Sequence, residues 1–516
     1  MSFSVRRVSQ ARSKCRFPWA TLSILLSMLR PLAGWYTGWK ARKKEEALHE
    51  HRTLLLKRSL LILIAVLCAF LLFAGTVKAL VGLRIISMRS LVSLTGAELP
   101  KDEQGFTTIL LLGLGDDSHD GKDLTDTIIV ASIDPSQTKS AVLLSLPRDL
   151  YFLKTEKMGK GRLNSLYRDY KILLRRQGMQ EQEASLEAMK ELSTVIGDHL
   201  SLPIHHVIKV NFTGFKQAVD AIGGIDVTVP EPINDTEYPD ENYGYEPFSI
   251  AAGPAHLDGE TALKYARSRH SSSDFGRSAR QQQIIVAIGE KVTKEGLYKN
   301  PATVTDMMKI FSDHVQMTMT TRELIGLADL AEKTTPDRVI TLQLNDRNGL
   351  YESMVEPGGF LYTPPRDQFA GASVLLPVSI PAFPVTWKQI HALSTLLFRQ
   401  RAMYIARPSI AILNAGAKSG LARTLGNELT RYGFNVVRIE NANISKEELK
   451  NTNNPSFVYA SQPTDANAKE FFSELLDLPV VSSPVPAIPP EQMAQIVILL
   501  SKDYTFQPLQ DLLTTP

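Results

Sequence analysis

The most constraining feature of this sequence is an uncharged run of 19 residues at positions 59–77, SLLILIAVLCAFLLFAGTV. At a rise of 1.5 Å per residue, a helix of this length spans about 28 Å, close to the roughly 30 Å hydrocarbon core of a bilayer. The run lies too deep in the chain for a removable signal peptide, and no small-residue cleavage site follows it. It therefore predicts a transmembrane helix.

The distribution of charge predicts the orientation of that helix. Residues 1–58 contain 13 Lys and Arg against 3 Asp and Glu, whereas the rest of the chain contains 44 against 51. Positive charge next to a membrane helix stays on the cytoplasmic side. We therefore expect a single-pass protein of the cell membrane, with a basic cytoplasmic head at residues 1–58 and an exported carboxy-terminal bulk. Nucleic-acid binding by the head is the alternative, but the head contains no nucleic-acid-binding motif.

Two smaller features of the amino-terminal part limit other interpretations. An apolar run at residues 17–29 is only 13 residues long, so we expect it on the membrane surface or against the anchor, with a second crossing as the alternative. The two cysteines, Cys15 and Cys68, lie in the head and the anchor. The exported part therefore has neither a disulfide framework nor a cysteine-based metal site.

Short apolar runs and helical patterns alternate after a stalk at residues 78–104. Runs at 107–113, 127–133 and 140–146 predict three buried strands. Further strands are predicted at 205–212 and 225–230, and helices at 180–199 and 213–224. Because strands and helices interleave, residues 105–346 are predicted to form a layered α/β domain.

The remaining residues divide into a connecting region and a second small domain. Residues 347–406 are rich in loop-forming residues and contain one predicted helix at 387–399. Residues 407–516 begin with a strand, an amphipathic helix and a strand, and a last strand is predicted at 494–500. This pattern predicts a small carboxy-terminal α/β domain.

Five carboxylates follow the first predicted strand within eleven residues: Asp116, Asp117, Asp120, Asp123 and Asp126. Glycines in the same loop match neither GxGxxG nor the Gly-Lys-Ser/Thr phosphate loop. Two interpretations remain open. The carboxylates form either a solvated loop with Asx turns or a site for a hard cation such as Mg²⁺.

The stretch LKYARSRHSSSDFGRSARQQQ concentrates arginines. Arg267 and Arg269 are two residues apart, so in an extended chain both point to one face. Arg277, Arg280 and Gln281 have i, i+3, i+4 spacing and share a face of a predicted helix. Four arginines in one region repel one another without an anion, and arginine binds phosphate oxygens bidentately. A solvated basic face is the alternative to this predicted phosphate site.

Six motifs, in this order, resemble those of the LytR-CpsA-Psr family over residues 106–291: TDTIIVASIDP, AVLLSLPRDLYF, GRLNSLY, VNFTGFKQAVDAIGGIDVTVP, LDGETALKYARSRH and SDFGRSARQQQ. Members of this family are membrane-anchored enzymes that move glycopolymers from a polyprenyl-pyrophosphate carrier onto peptidoglycan. The resemblance implies a central mixed β-sheet flanked by helices, with apolar surfaces that line a lipid tunnel. The segment ILNAGAKSGLA resembles the carboxy-terminal domain that often accompanies this family.

The resemblance also implies roles for individual residues. Asp126 becomes the Mg²⁺ ligand of the TDT motif, and Arg148 lies where the third strand ends at a crevice, the usual ligand position in α/β sheets. Asp149 is a further catalytic candidate, either orienting Arg148 or accepting a proton. The implied pyrophosphate-binding set is Arg148, Arg267, Arg269, Arg277 and Arg280, with Gln281 beside them.

One motif departs from the family pattern. Where the family has Gly-x-Asp-Ser-Arg, this chain has GLGDDSHDG, so the arginine is absent and the second metal ligand is Asp116, Asp117 or Asp120. Asn211 stands where the family commonly has Asp, and we interpret it as structural.

The function implied is Mg²⁺-dependent transfer of a glycopolymer from polyprenyl pyrophosphate to peptidoglycan, at the membrane and without nucleic acid. Two alternatives belong to other classes. One is an envelope protein that binds polyprenyl-phosphate lipid without turnover, and the other is a transcriptional attenuator.

Overall fold

The three apolar runs predicted as strands form the centre of a six-stranded mixed sheet. The structure is a computed structural model that describes residues 98–116, 121–240, 244–268, 274–296, 314–350, 354–380, 384–444, 455–462, 465–484 and 488–513. These residues all belong to one compact unit.

The strands are short, as expected for a layered domain. They are β1 (Thr107–Leu114), β2 (Thr125–Asp134), β3 (Ser140–Ser145), β4 (Tyr151–Phe152), β5 (Gly161–Arg162), β6 (His206–Asn211), β7 (Ile225–Val229), β8 (Ile233–Pro239), β9 (Tyr245–Ile250), β10 (Gly253–Leu257), β11 (Val315–Met317), β12 (Val339–Gln343), β13 (Leu361–Tyr362), β14 (Leu376–Pro377), β15 (Ile410–Asn414), β16 (Val436–Asn441), β17 (Phe457–Ala460) and β18 (Ile496–Leu500).

The helices are α1 (Leu163–Arg176), α2 (Glu181–Leu200), α3 (Phe212–Ala221), α4 (Gly259–Arg267), α5 (Asp274–Lys294), α6 (Thr321–Glu332), α7 (Lys388–Arg399), α8 (Arg401–Ala406), α9 (Leu421–Arg431), α10 (Ala466–Leu476) and α11 (Leu509–Leu513). Short 3₁₀ turns occur at Pro336–Arg338, Arg366–Phe369 and Pro490–Gln492.

The central sheet has the strand order β11-β6-β1-β2-β3-β12. β1 is antiparallel to β2 and parallel to β6, while β3 is antiparallel to β2 and parallel to β12. At the end of β1 the register with β2 shifts after Gly113, where a Cβ atom would lie 2.9 Å from the Cβ of Thr127. A side chain at position 113 would therefore force β1 and β2 apart.

Both faces of the central sheet are covered by helices. Along β1, the alternate residues Leu110, Leu112 and Leu114 enter the main core, together with side chains of α1, α2 and α7. On the other face, Leu143 packs with Ile285 of α5. A second core joins α3, α4 and α5 to strands β7–β10. The predicted mixed α/β fold, with a central mixed sheet flanked by helices, is confirmed.

The carboxy-terminal residues form a second sheet, in the order β16-β15-β18-β17, with α9 and α10 packed on it. Its central strands share the main core, since Ile412 and Ile498 belong to the same buried cluster as Leu112 and Leu144. Apolar packing therefore continues from the central sheet into the carboxy-terminal sheet.

Polar contacts tie these two parts together along what we call the seam, formed by Arg401, Tyr404, Glu428, Arg431 and Tyr432. Arg401 donates to the carbonyl and hydroxyl oxygens of Ser132 at 3.1 and 2.7 Å. Arg431 pairs with Glu428 at 2.7 Å, and its carbonyl accepts from Gly358 N. Tyr404 donates to the carbonyl of Tyr432 at 2.7 Å.

Several sequence predictions need correction or lie outside the described residues. Arg267 does not lie in an extended chain, because Asp258 caps α4 by accepting from Thr261 N and the helix runs through Arg267. α1, the β8–β9 hairpin and α10 were not predicted.

Among the described residues, no helix is both long enough and apolar enough to cross a membrane. The predicted anchor at 59–77 and the basic head lie outside the described residues.

Candidate active site

A cleft of about 270 Å³ opens where β3 and β12 end side by side. Because these strands are parallel, their carboxyl ends meet at one edge of the sheet, the usual ligand position in open α/β folds. We call it the arginine cleft. It is lined by Asp126, Thr127, Ile128, Ser145, Leu146, Pro147, Arg148, Asp149, Arg277, Ser278, Gln281, Gln343, Leu344, Asp346, Thr363, Ser373 and Leu375.

Arg148 is held in the turn that follows β3. Its carbonyl accepts from Asn164 N at 3.1 Å, and the fully buried Leu150 anchors the turn in the core. Its guanidinium donates to Asp126 Oδ1 at 3.0 Å, and its Nε lies 3.8 Å from Asp149 Oδ2. The structure thus brings the three catalytic candidates, Arg148, Asp126 and Asp149, into one charge network.

Asp149 connects that network to a second arginine. Its Oδ1 accepts from Arg162 Nη1 at 3.3 Å, and its side chain is only 20% exposed. Arg162 ends β5, which pairs with β4, so the hairpin positions this arginine. Because Asp149 lies between the cations Arg148 and Arg162, its carboxylate orients both guanidinium groups.

α5 adds a second guanidinium to the cleft. Arg277 is buried, and both Arg277 and Gln281, one helical turn later, line the arginine cleft. The neighbouring Gln282 fixes the helix there, because its amide donates to the carbonyls of Leu143 and Leu342 at 3.1 and 2.9 Å. The sequence pointed to Gln281, but the anchoring role of Gln282 was missed.

Two other arginines of the predicted pyrophosphate set do not line the cleft. Arg280 is buried and donates to the carbonyls of Tyr265, at 2.8 Å, and Ser268, and burial lowers the pKa of its guanidinium. Arg267 lies over the Phe212 ring at 4.3 Å and donates to the hydroxyl of Tyr238 at 3.0 Å. Both arginines therefore bind protein groups of the second core.

The acidic loop is divided among separate partners. Asp116 accepts from the backbone N and the hydroxyl of Thr213 at 3.0 and 2.9 Å, at the start of α3. Asp123 pairs with the buried Lys171 at 2.7 Å. Neither residue lines the arginine cleft. Asp117, Asp120 and Arg269 lie outside the described residues.

Carboxylate and imidazole groups that could hold a metal ion are scattered among the described residues. Within the described part of the chain, no group of three or more His, Cys, Asp or Glu side chains is arranged to hold one. Asp126, Asp149 and Asp346 each bring a carboxylate to the lining of the cleft, and the side chain of Asp126 is 39% exposed. Asn211, interpreted as structural, accepts from Gly214 N and caps α3.

The connecting region supplies cleft residues that sequence patterns missed. Thr363, Ser373 and Leu375 line the cleft, and so does Asp346 just before this region, yet all four lie outside the named helices and strands. Leu375 N donates to the carbonyl of Asp149 at 2.9 Å, so this region braces the turn that carries Arg148. No periodic pattern marks such contacts.

Known proteins resemble part of this chain. A protein of Bacillus cereus, named polyisoprenyl-teichoic acid–peptidoglycan teichoic acid transferase TagU, is 29% identical over 222 residues, which is 43% of this chain and 62% of the relative. The Bacillus subtilis transferase of the same description, TagV, is 29% identical over 46% of this chain and 56% of its own length. The chain thus spans less than two thirds of the length of these relatives.

Solved structures resemble the chain at lower sequence identity. The crystal structure of B. subtilis TagV matches 59% of this chain and 99% of its own, with 22% identity and a TM-score of 0.40. A structure of TagT bound to LI-WTA matches 59% of this chain and 95% of its own, with 19% identity and a TM-score of 0.39.

Two family models match the chain. The second, described as LytR cell envelope-related transcriptional attenuator, matches residues 407–504. The first, the LytR_cpsA_psr family, matches residues 88–367, which include Asp126, Arg148 and Arg277. Since that match covers more than half of the 516 residues, the chain belongs to the LytR-CpsA-Psr family.

Proposed function

We propose that this chain transfers a glycopolymer from a polyprenyl-pyrophosphate carrier to peptidoglycan. The observation that carries the proposal is the pair of guanidinium groups, Arg148 and Arg277, in one cleft at the carboxyl end of β3. Membership of the family supports it, and so do the names of TagU and TagV as polyisoprenyl-teichoic acid–peptidoglycan teichoic acid transferases.

In this proposal the diphosphate lies against Arg148 and Arg277. Guanidinium groups match phosphate oxygens in shape and charge, and phosphoryl transfer is catalysed chiefly by positioning and charge stabilisation. Arg280 contributes indirectly, because its bonds to the carbonyls of Tyr265 and Ser268 join α5 to α4. Arg269 lies outside the described residues, and its place in the proposed set is supported by the family resemblance alone.

The reaction is a displacement at phosphorus. A hydroxyl oxygen of the acceptor glycan forms a bond to the phosphorus attached to the glycopolymer, and the bond from that phosphorus to polyprenyl phosphate breaks. Polyprenyl phosphate leaves, and the hydroxyl proton passes to a carboxylate. Asp149 is our candidate for this acceptor, since Arg148 and Arg162 hold its carboxylate at the cleft.

We further propose Mg²⁺ as the cofactor, with Asp126 as its protein ligand. Mg²⁺ in proteins commonly takes one or two carboxylates and fills its other positions with phosphate oxygens and water, so the partly exposed Asp126 carboxylate beside a diphosphate site fits it. When bound, the ion neutralises charge on the phosphate oxygens. Asp116 is a weaker candidate for the second ligand, because both of its oxygens accept bonds from Thr213.

The polyprenyl tail is proposed to follow α5 away from the cleft. Gln281 lines the cleft, and Ile285 follows one turn later on the same helical face. Ile285 is only partly buried where it packs with Leu111 and Val286 against the central sheet. A buried methylene contributes about 0.8 kcal/mol, so a long tail adds much of the binding free energy.

The proposed location is the outer face of the cell membrane. Residues 59–77 form the anchor in this proposal, and the basic residues before them remain in the cytoplasm. The substrate fits this topology, since a polyprenyl carrier is itself embedded in the membrane.

The test is transfer by the full chain, purified in detergent, of a short polyprenyl-pyrophosphate-linked glycan to peptidoglycan oligomers. We expect Arg148→Ala to lower the rate about a hundredfold, the typical loss for a charge contact at a transferring phosphoryl group. Asp126→Ala should weaken the dependence of the rate on Mg²⁺, and thermal melts of both variants should match wild type. Near-normal rates in both variants would contradict the assignment, and rate losses matched by unfolding would make both residues structural.

A further inference from the structure

The chain from the end of β12 to the start of the connecting region adds polar side chains to the arginine cleft that diphosphate binding does not require. Asp346 and Thr363 line the cleft, and Thr363 donates to Asp346 Oδ2 at 3.2 Å. Gln343, at the end of β12, lines it too, and its Oε1 is buried with no hydrogen-bond partner among the described residues. The cleft lining therefore carries a carboxylate and an amide group in addition to its arginines.

This part of the wall is held in place by backbone bonds. Asn345 N donates to the carbonyl of Gly358 at 2.8 Å. Gly358 has φ +82°, and a Cβ there would lie 1.9 Å from the carbonyl oxygen of Gln343. Only glycine permits so close a crossing of the two segments. Asp346 and Gln343 are thus carried on fixed backbone at the edge of the cleft.

The chemistry of these groups favours a sugar over a phosphate. An ionised carboxylate and an amide oxygen are hydrogen-bond acceptors, and the carboxylate repels a phosphate anion. Hydroxyl groups are the donors that such acceptors bind. We propose that Asp346 and Gln343 form a hydroxyl-binding subsite for the sugar next to the diphosphate, which makes them specificity-determining residues.

The adjoining wall lies outside both family matches. Ser373 and Leu375 line the cleft but lie in residues 368–406, which neither family model matches. Asp346 and Gln343 themselves lie within the residues that the first family model matches. This inference rests on the proposed function. The bound sugar belongs either to the glycopolymer of the carrier lipid or to the acceptor glycan.

Three binding measurements on the full chain in detergent test the subsite. The ligands are sugar-free polyprenyl pyrophosphate, polyprenyl pyrophosphate carrying a disaccharide, and a peptidoglycan oligomer. We expect Asp346→Ala and Gln343→Leu to bind the sugar-free lipid within twofold of wild type. Each should bind one of the two sugar ligands about tenfold more weakly, the usual consequence of losing a hydrogen bond to a charged or buried group. The matched control is Asp367→Ala, an exposed carboxylate of the same region outside the cleft.

Each outcome has one meaning. Weaker binding of the disaccharide lipid places the glycopolymer in the subsite, and weaker binding of the oligomer places the acceptor there. Unchanged binding of both sugar ligands, or an equal loss for the sugar-free lipid, overturns the inference while the proposed function stands. If wild type binds no polyprenyl pyrophosphate, the proposed function fails and the inference fails with it. Asp346→Asn, which preserves side-chain shape, controls for misfolding through its thermal melt.

Discussion

The arginine cleft and the seam both bury arginines, but they use them differently. In the seam, Arg401 is 1% exposed, and carbonyl and hydroxyl oxygens of the protein accept its hydrogen bonds. In the cleft, Arg148 contacts carboxylates at the edge of an open volume of about 270 Å³. Burial alone therefore does not identify a functional arginine. A functional arginine is identified by the groups that accept its hydrogen bonds and by the open space beside it.

Electrostatics reinforce this difference. Burial lowers the pKa of Arg401 to about 10. The guanidinium therefore stays charged at neutral pH, but removing this charge from water costs free energy. Burial also raises the pKa of Glu428, which Arg431 contacts in the seam. Such groups tolerate little change, because removing one partner leaves the other buried and unsatisfied. The seam is thus expected to control stability, and the cleft activity.

The largest expected effect comes from removing the carboxy-terminal part of the seam. A chain that ends at Ala406 loses β15 and β18, whose Ile412 and Ile498 share the main core, and leaves that core exposed. Each large apolar side chain exposed costs about 1.5–3 kcal/mol, so the truncated chain should aggregate or melt more than about 10 °C lower. Differential scanning calorimetry measures this. A truncated chain that melts like the full chain would show that the seam is not a stabilising contact.

A single change in the seam should have the next largest effect. Arg401→Ala removes the donors to Ser132 and Phe398 and the cation that lies 4.0 Å from the Phe106 ring. We expect a loss of about 3–5 kcal/mol in the free energy of unfolding, measured in urea. The control is Arg399→Ala, an exposed arginine two residues earlier, which should stay within about 0.5 kcal/mol of wild type. Equal losses for both variants would contradict the special role of Arg401.

Two arginines of α5 sharpen the comparison within one helix. Arg277→Ala should reduce transfer about a hundredfold and lower the melting temperature less than Arg280→Ala does, because Arg277 lines the cleft. Arg280→Ala should lower the free energy of unfolding by about 1–3 kcal/mol, because it leaves the carbonyls of Tyr265 and Ser268 without these donors. Transfer by the folded fraction should stay within a few fold of wild type. A loss of transfer in Arg280→Ala at normal stability would place Arg280 in the pyrophosphate site after all.

Much of the fold was predictable because its strands carry apolar, β-branched runs. The runs of β1, β2 and β3 are bounded by polar residues, so their place in a buried sheet followed from pattern alone. α1 was not predicted, although its apolar residues recur at helical spacing. The seam was not predictable, since Arg401 carries no local signal of its distant partner Ser132.

The candidate site was predictable only in part. Arg148 was identified because it follows an apolar strand, and Arg277 because it lies on a helical face with Gln281. The spacing of Arg280 is as regular as that of Arg277, yet its side chain is bound by backbone carbonyls. Helical spacing predicts which side chains share a face, but not which groups those side chains contact. The contribution of Asp346 depends on long-range backbone contacts, which no local pattern encodes.

The smallest expected effect is a pH dependence at the turn beside Arg401. Asp134 is fully buried, and burial alone would raise its pKa. Bonds from Thr138, Gln137 and Ser136 outweigh this and hold the pKa of Asp134 below its usual value. A lowered carboxyl pKa stabilises the fold above the unfolded-state pKa, near 4, and that stability is lost as the pH falls through the folded-state value.

Asp134→Asn should therefore lower the free energy of unfolding by about 1–2 kcal/mol at pH 7. The carboxylate of Asp134 accepts from Thr138 N at 2.6 Å, whereas the amide of Asn would place a donor opposite that N–H. The difference from wild type should shrink as the pH falls below about 4, since wild-type Asp134 then becomes protonated too. Urea unfolding at several pH values measures both quantities, and Asp337→Asn, at an exposed position, serves as the control. A difference that stays constant down to pH 2 would show that the carboxylate charge does not stabilise this turn.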